Sequence, residues 1–207
     1  MLIDISPVIN PSINVWPGDT PYVHTVNLDI AAGANITLSD IRTSVHVGAH
    51  TDAPSHYVAD GCDIASRRLE LYLGSCVVIH VDIERGERIT PNDIIGKAIT
   101  APRVLFRTGT FPDHSAWNND FASLSPELID QMYQHGVILV GIDTPSIDPF
   151  DSKELEAHHA VAHHDMAILE GVVLDAVPEG EYELIALPLR LHGADASPVR
   201  AVLRTLD

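Results

Sequence analysis

The sequence predicts an α/β or α+β domain with a sheet-rich core, and three observations support this prediction. Short runs of β-branched and apolar residues recur along the chain, and segments with clear helix-start signals lie between them. The 207 residues, with 45% hydrophobic and 20% charged side chains, suit one well-packed core. We therefore expect a single domain, residues 1–207, that folds without a partner.

The predicted strands are apolar, β-branched runs that end at turn residues. They are Leu2–Ile5, Tyr22–Leu28, Ile36–Val45, Cys76–Ile83, Arg103–Arg107, Val137–Ile142 and Glu183–Leu187. Their number favours a sheet at the centre of the fold, with the helices packed beside it.

Three helices are predicted. Thr90-Pro91 and Ser125-Pro126 each place an N-cap residue before a proline at the first helical position, and Gly136 ends the second of these helices. Segment 151–165 is rich in helix formers and lacks Gly and Pro, so it predicts a third helix. The long Pro- and Gly-containing loops 7–21 and 109–119 are expected to cover a site at the surface.

Charge and cysteine content restrict the partners and the compartment. The 29 Asp and Glu residues against 12 Lys and Arg give a net charge of −17, which repels nucleic acid and anionic lipid and also promotes solubility. Cys62 and Cys76 form no C-x-x-C pair, which argues against a disulfide framework and against a thiolate zinc site. The start of the chain has no basic and apolar leader, and no apolar run approaches about 20 residues. We expect a cytoplasmic protein.

The first histidine cluster lies in segment 46–56. His46, His50, Asp52 and His56 occupy even positions, so in an extended chain their side chains project from one face. Ordinary polar residues on a half-solvated strand are the alternative for any one of them. Three His and one Asp on one face favour a metal or catalytic site.

Glycine and proline in this segment argue against a helix and favour a strand or a bent loop. Positions two apart in a strand stand ~6.6 Å from each other, so His50 and Asp52 can share a metal. Positions four apart stand ~13 Å from each other, so His46 joins the site only if the chain bends, and Gly48 permits such a bend. Pro54 should turn the chain again and carry His56 to the rim, where it can handle protons.

The second cluster, in segment 154–170, supplies more ligand-type atoms than one site needs. Its members are His158, His159, His163, His164, Glu154, Glu156, Asp165 and Glu170. Helical spacing offers His159 and His163 as an i,i+4 pair, and a solvated helix face rich in His is the alternative. The spacing alone does not select the ligands. Nitrogen and oxygen ligands without sulfur suit zinc first, with manganese or iron as competitors.

Other chemistries are not supported. The chain has no G-x-S-x-G elbow, no phosphate-binding loop and no dinucleotide-binding G-x-G-x-x-G after a strand. Trp16, in the tight turn 16–19, either packs on the core or lines an aromatic substrate pocket. Segment 143–146 follows a predicted strand and is either a site loop or a plain turn.

The first cluster resembles the signature of a known family. His46-x-Gly48-x-His50-x-Asp52-x-Pro54-x-His56 is similar to the H-x-G-x-H-x-D-x-P-x-H motif of the cyclase-like metal hydrolases, and in particular of the bacterial kynurenine formamidases (arylformamidases) within that family. The similarity also covers segments 4–7, 15–21, 141–146, 166–171, 182–188 and 195–200. It implies a cyclase-like swivelling fold, in which a mixed, barrel-like β-sheet is flanked by helices, and a homodimer.

The resemblance also implies a site. His46, His50 and Asp52 would bind one zinc ion, and Asp52 would bridge to a second zinc held by His158 and Glu170, with manganese as a competitor for both. His56 would be the proton donor and acceptor, and Trp16 would contact the aryl group of the substrate. Many family members carry Thr at the position of Ala49, a departure that leaves the ligands intact but could alter local hydrogen bonding.

The implied reaction is hydrolysis of N-formyl-L-kynurenine to L-kynurenine and formate in tryptophan degradation. A metal-activated water would attack the formyl carbon, with His56 as general acid and base. One alternative is another aryl or cyclic amide hydrolase of the same family, of the isatin hydrolase type. The other is a metal-binding module without turnover.

Overall fold

The computed structural model describes residues 1–206, which form two α-helices, several short 3₁₀ turns and thirteen strands. The helices are α1 (Pro126–Gln134) and α2 (Glu156–His163). The strands are β1 (Leu2–Asp4), β2 (Val23–Leu28), β3 (Leu38–Arg42), β4 (His50–Asp52), β5 (Leu73–His80), β6 (Arg88–Ile89), β7 (Arg103–Arg107), β8 (Ser123–Leu124), β9 (Leu139–Ile142), β10 (Ala167–Leu169), β11 (Gly180–Ile185), β12 (Ala196–Pro198) and β13 (Val202–Thr205).

Seven strands form one mixed sheet in the order β1-β13-β11-β5-β7-β9-β10. Strands β5, β7, β9 and β10 run parallel, whereas β1, β13, β11 and β5 pair antiparallel. Three two-stranded sheets, β12-β4, β2-β3 and β6-β8, accompany it. The predicted α/β architecture, a mixed sheet flanked by helices, is confirmed.

Both faces of the large sheet are buried. Val77 and Ile79 of β5 belong to the apolar cluster on the face that α1 and α2 cover, while Cys76 and Val78 belong to the cluster on the other face. A strand that is buried on both faces reads as a continuous apolar run, because neither set of alternating side chains meets water. This explains why the buried centres of β5 and β7, residues 76–79 and 104–106, are continuous apolar runs in the sequence.

Most predicted elements are confirmed, with ends that shift by a few residues. The strand Arg103–Arg107 coincides with β7, and the helix predicted after Ser125 is α1, whose first turn is capped by the Ser125 hydroxyl. The predicted strand Cys76–Ile83 begins and ends three residues earlier, at Leu73 and His80. In the described chain neither helix is long and apolar enough to cross a membrane.

Two helix predictions are wrong in extent. Thr90-Pro91 starts a single 3₁₀ turn, Pro91–Ile94, and Gly96, whose φ of 82° is left-handed, stops the helix from continuing. The helix predicted over residues 151–165 covers only α2. Leu155 and Asp165 take left-handed backbone conformations with φ of 46° and 49°, and they bound the helix at its two ends.

Candidate metal centre

The backbone of three segments builds the centre. His50 of β4 and Glu170, just after β10, exchange two backbone hydrogen bonds, with N···O distances of 3.0 and 2.9 Å. On its other side β4 pairs antiparallel with β12, which places Ala196 opposite Asp52. Strand pairing therefore fixes His50, Asp52 and Glu170, whereas His46 lies in the turn before β4 and His158 lies on α2.

The bends predicted at Gly48 and Pro54 are present. Gly48 has a φ of 62°, and the turn around it brings His46 Nδ1 to 3.1 Å from Asp52 Oδ1. Pro54 begins the 3₁₀ turn Pro54–His56, which leaves the His56 side chain 34% exposed. Only residues 50–52 are strand, so the four side chains converge through bends and not along one straight face.

A second glycine permits this packing. Gly171 has a left-handed φ of 65°, and a side-chain carbon there would collide with the carbonyl oxygen of Gly48. Its amide also donates to the carbonyl oxygen of Thr144 at 2.8 Å. Gly171 thus allows the segment after Glu170 to approach the turn at Gly48 closely.

The structure brings together all five residues that were predicted as ligands. His50 Nε2 lies 3.1 Å from Glu170 Oε2 and 3.6 Å from Asp52 Oδ1. His158 Nε2 lies 3.4 Å from Asp52 Oδ2 and 3.7 Å from Glu170 Oε1. Since His50 lies between both carboxylates, the assignment of His46 and His50 to one shared ion stays a prediction.

The environment of the Asp52 carboxylate indicates whether a cation fits the cluster. Both carboxylate oxygens are buried and accept no hydrogen bond of normal geometry, although ring nitrogens of His46 and His158 lie 3.1 and 3.4 Å from them. Such an arrangement is costly for an ionised group without a cation. Two ligand atoms on a tetrahedral zinc, each bonded at about 2.0–2.1 Å, stand roughly 3.4 Å apart. The separations of 3.1–3.7 Å in this cluster match that spacing, so the residues fit a divalent metal.

The electrostatics of the cluster also favour positive charge. Burial acts to lower the pKa of His46, but Asp52 and Asp195 raise it to about 9. Burial likewise opposes the charged form of His158, but Asp148 and Asp52 raise its pKa to about 10. Although burial acts to raise the pKa of Asp52, the neighbouring His46 holds it well below its usual range. A bound cation would take the place of these protons.

Each predicted ligand histidine has one ring nitrogen that faces away from the cluster. That nitrogen lies at hydrogen-bond distance from an acceptor oxygen. These acceptor pairs are His46 Nε2 with Asp195 Oδ2 at 2.9 Å, His50 Nδ1 with the Gly48 carbonyl oxygen at 3.0 Å, and His158 Nδ1 with Asp148 Oδ2 at 2.8 Å. Such partners orient a histidine toward a metal and are typical of metal sites. Asp148 and Asp195 were not predicted as site residues, although residues 195–200 were among the segments similar to the family.

The remaining histidines of the second cluster lie outside the centre. His159 and His163, the predicted i,i+4 pair, are exposed on α2. His164 contacts Asp130 at 2.7 Å and stacks on Tyr133 with ring centroids 4.0 Å apart. Helical spacing therefore pointed to a pair that the fold keeps in solvent.

A cavity of about 270 Å³ opens beside the cluster. Its wall includes Trp16, Phe111 and Trp117, and the ring of Trp16 stacks on Phe150 with centroids 5.1 Å apart. Loops 7–21 and 109–119 thus cover the site as predicted, and Ser146, from segment 143–146, also lines it. Among the described residues, no Lys or Arg lines this cavity.

Together, the sheet, the carboxylate–histidine cluster and the adjoining cavity define an α/β protein with a centre built for a divalent metal. A model of the Cyclase family matches residues 3–149, which is most of the chain. The chain belongs to the Cyclase family.

Solved structures share the fold over almost their whole length. A potential metal-dependent hydrolase with cyclase activity is 27% identical, with 98% of this chain and 96% of that chain covered and a TM-score of 0.84. A predicted metal-dependent hydrolase from Bacillus stearothermophilus is also 27% identical, with 98% and 97% covered and a TM-score of 0.83. Isatin hydrolase A from Labrenzia aggregata, solved with benzyl benzoate, is 22% identical, with 98% and 93% covered and a TM-score of 0.85, and it shares the fold.

Proposed function

We propose that the protein is a metal-dependent amide hydrolase that removes the formyl group of N-formyl-L-kynurenine and releases L-kynurenine and formate. The observation that supports this most strongly is the convergence of three histidines, His46, His50 and His158, on the two buried oxygens of Asp52. Glu170 completes the cluster through its contacts with His50 and His158. The 27% identical structures described as metal-dependent hydrolases support the hydrolytic class.

In this proposal His46, His50, Asp52, His158 and Glu170 would hold two zinc ions, with manganese as a competitor. Bound zinc would lower the pKa of its water to about 7 and polarise the carbonyl group of the amide. Because four of these five residues are buried, they exclude bulk water from the reacting atoms.

His56 is the proton carrier in this proposal. It lies at the rim, with its ring centroid 4.3 Å from that of His46, and it lines the cavity. It would accept a proton from the water whose oxygen bonds to the formyl carbon, then donate that proton to the aniline nitrogen as the C–N bond breaks. Such general acid–base catalysis contributes about 10²- to 10⁴-fold.

The aromatic wall suits the aryl part of the substrate. Trp16 is held edge-on by Trp117 at a centroid distance of 5.4 Å and stacked by Phe150, so its ring is fixed before a ligand enters. The volume of about 270 Å³ lies just below the range of about 300–1,000 Å³ for small-molecule sites, so the cavity suits a small ligand. A single aromatic ring with a short amide fits such a cavity.

The test is the absorbance change when N-formyl-L-kynurenine is added to zinc-loaded protein, to chelated protein and to chelated protein resupplied with zinc. We expect turnover that chelation abolishes and zinc restores. A protein with bound zinc that leaves every aryl formamide intact would contradict the proposal and would leave a cyclic amide hydrolase or a metal-binding module without turnover as the alternatives.

A cyclic amide of the isatin type is the second candidate, and the absence of Lys and Arg from the described cavity lining favours it. N-formyl-L-kynurenine carries a carboxylate that would meet no Lys or Arg side chain there, whereas isatin is neutral. Side-by-side kcat/KM values for isatin, N-formyl-L-kynurenine and uncharged formanilide decide between them. A higher value for isatin than for either formamide would assign the protein to cyclic amides.

The proposal includes a homodimer. The β2-β3 hairpin exposes Val26, Leu28, Leu38 and Ile41, which are 43–65% accessible, and every residue of both strands is exposed. An isolated two-stranded hairpin is marginally stable, so a second copy that covers these side chains would stabilise it. Light scattering on a size-exclusion column should give twice the chain mass, and Ile41→Asp should shift it toward the monomer.

A further inference from the structure

We propose that Asp195 is a positioning residue that holds both His46 and His56 in the ring tautomers that hydrolysis requires. The inference rests on the proposed function, in which His46 binds metal and His56 carries the proton. Nothing in the sequence motif singled out Asp195, which lies about 140 residues further along the chain.

One oxygen of Asp195 faces both rings. Its Oδ2 lies 2.9 Å from His46 Nε2 and 3.2 Å from His56 Nδ1. A carboxylate oxygen only accepts hydrogen bonds, so each of these ring nitrogens must carry a hydrogen in order to bond to it. In a neutral imidazole the other nitrogen then has the free lone pair.

These ring tautomers suit the proposed roles of His46 in metal binding and of His56 in proton transfer. His46 is left with a lone pair on Nδ1, the atom that lies 3.1 Å from Asp52 Oδ1 and therefore faces the metal cluster. His56 is left with a lone pair on Nε2, which can accept a proton from water. A carboxylate that fixes the tautomer and orientation of a ligand histidine also raises the basicity of that ligand.

Strand pairing places Asp195. Its carbonyl oxygen accepts from the Ala53 amide at 2.8 Å, and the next residue, Ala196, stands opposite Asp52 in the β12-β4 pair. The preceding loop is tied down as well, because the Gly193 amide donates to Asp63 Oδ2 at 2.7 Å. The carboxylate of Asp195 therefore has a fixed position beside the strand that carries two predicted ligands.

The contacts of Asp195 distinguish it from a residue that only stabilises the fold. Asp148, which faces His158, is fully buried and also accepts from the amides of Ala157 and His158, so it holds the start of α2 as well. The Asp195 side chain is 47% exposed, and exposed ion pairs contribute little to stability. Among the described residues, Asp195 is the one acceptor whose side chain contacts both a predicted ligand histidine and His56.

The test compares Asp195→Ala and Asp195→Asn with Asp63→Ala as a matched control. Asp63 also anchors the loop before Asp195, through the Gly193 amide, but its carboxylate contacts neither histidine ring. Three properties are measured: zinc affinity by competition with a chromophoric chelator, ring tautomers by long-range ¹H–¹⁵N spectra of the zinc-loaded protein, and kcat with KM. For Asp195→Ala we expect zinc affinity and kcat at saturating zinc each to fall roughly 10- to 100-fold. KM should stay near the wild-type value, and the His56 signals should shift toward the Nε2–H tautomer.

Asp195→Asn keeps the shape of the side chain and should show a smaller loss of the same kind, which covers the case in which the alanine variant does not fold. Unchanged zinc affinity and unchanged ring tautomers in these variants would overturn the proposal, as would equal losses in Asp63→Ala. If the wild-type protein hydrolyses no aryl amide, the proposed function fails, yet the zinc affinities and ring spectra still decide the role of Asp195.

Discussion

The two histidine clusters of the chain differ in how much of each reaches the metal centre. All three histidines of segment 46–56 lie at the centre or its rim, whereas of the four in segment 158–164 only His158 does. The first segment is bent at Gly48 and Pro54, so its side chains converge. The second is mostly helix, where successive side chains point about 100° apart and neighbours diverge.

The density of ligand-type residues in a segment therefore does not identify the metal ligands. The position of a residue relative to paired strands does, because β4 lies between β12 and the bridge to Glu170 and directs its side chains inward. His158 joins this centre because Asp148, in the connection between β9 and α2, fixes both its ring and its backbone amide.

The largest effect is expected for Asp52→Ala. This substitution removes the carboxylate that His46, His50 and His158 all contact. Metal content should fall to near zero, and activity should fall by roughly 10³-fold or more, since metal ions supply several kcal/mol of transition-state stabilisation. Elemental analysis and turnover on the same sample provide the check, with the exposed Asp60→Ala as the control. Full metal content in Asp52→Ala would mean that the first segment does not form the centre.

Neighbouring residues in the second cluster give the next test. His158→Ala should lose about one of two zinc ions per chain, because its Nε2 faces Asp52 and Glu170, while His159→Ala should keep both, because its side chain is exposed. Zinc per chain after dialysis measures the difference. Equal zinc losses in the two variants would show that His158 is no more a metal ligand than His159.

His56→Ala tests the division of roles within the first cluster. We expect kcat to fall about 10²- to 10⁴-fold with metal content unchanged, because His56 lies at the rim and handles protons. Steady-state kinetics at saturating zinc, combined with elemental analysis, separate these outcomes. Loss of metal from this variant would place His56 among the ligands instead.

The smallest effect is expected for His163→Ala, on the exposed face of α2. The free energy of unfolding in urea should change by no more than about 0.5 kcal/mol, as for most surface substitutions. Zinc content and turnover should match the wild type. A change in zinc content or turnover would show that α2 contributes a second residue, besides His158, to the centre.

The parts of the fold and site that could be predicted are those with a local cause. Gly48 and Pro54 mark bends by their own backbone preferences, and β7 is an apolar run buried on both faces. The strands β12 and β13 escaped prediction because β12 pairs with β4 and β13 joins β1 to β11, pairings that bring together distant segments of the chain. Such pairing, and not composition, makes them strands.

The site was predictable to a similar degree. The five predicted ligands come together, and for three of them the spacing within one segment already indicated a shared site. The choice of His158 and Glu170 came from resemblance, because helical spacing favoured a different pair. Asp148, Asp195 and the ring of Trp117 could not be found in this way, since each acts through a contact that exists only after distant segments fold together.

The most direct test of the proposed centre is a zinc titration of metal-free protein in which the hydrolysis rate of N-formyl-L-kynurenine is followed. If His46, His50, Asp52, His158 and Glu170 hold two catalytic zinc ions, the rate should rise with added zinc, reach a plateau near about two ions per chain, and vanish on chelation. A rate that is the same with and without zinc, or no hydrolysis with two ions bound, would contradict it.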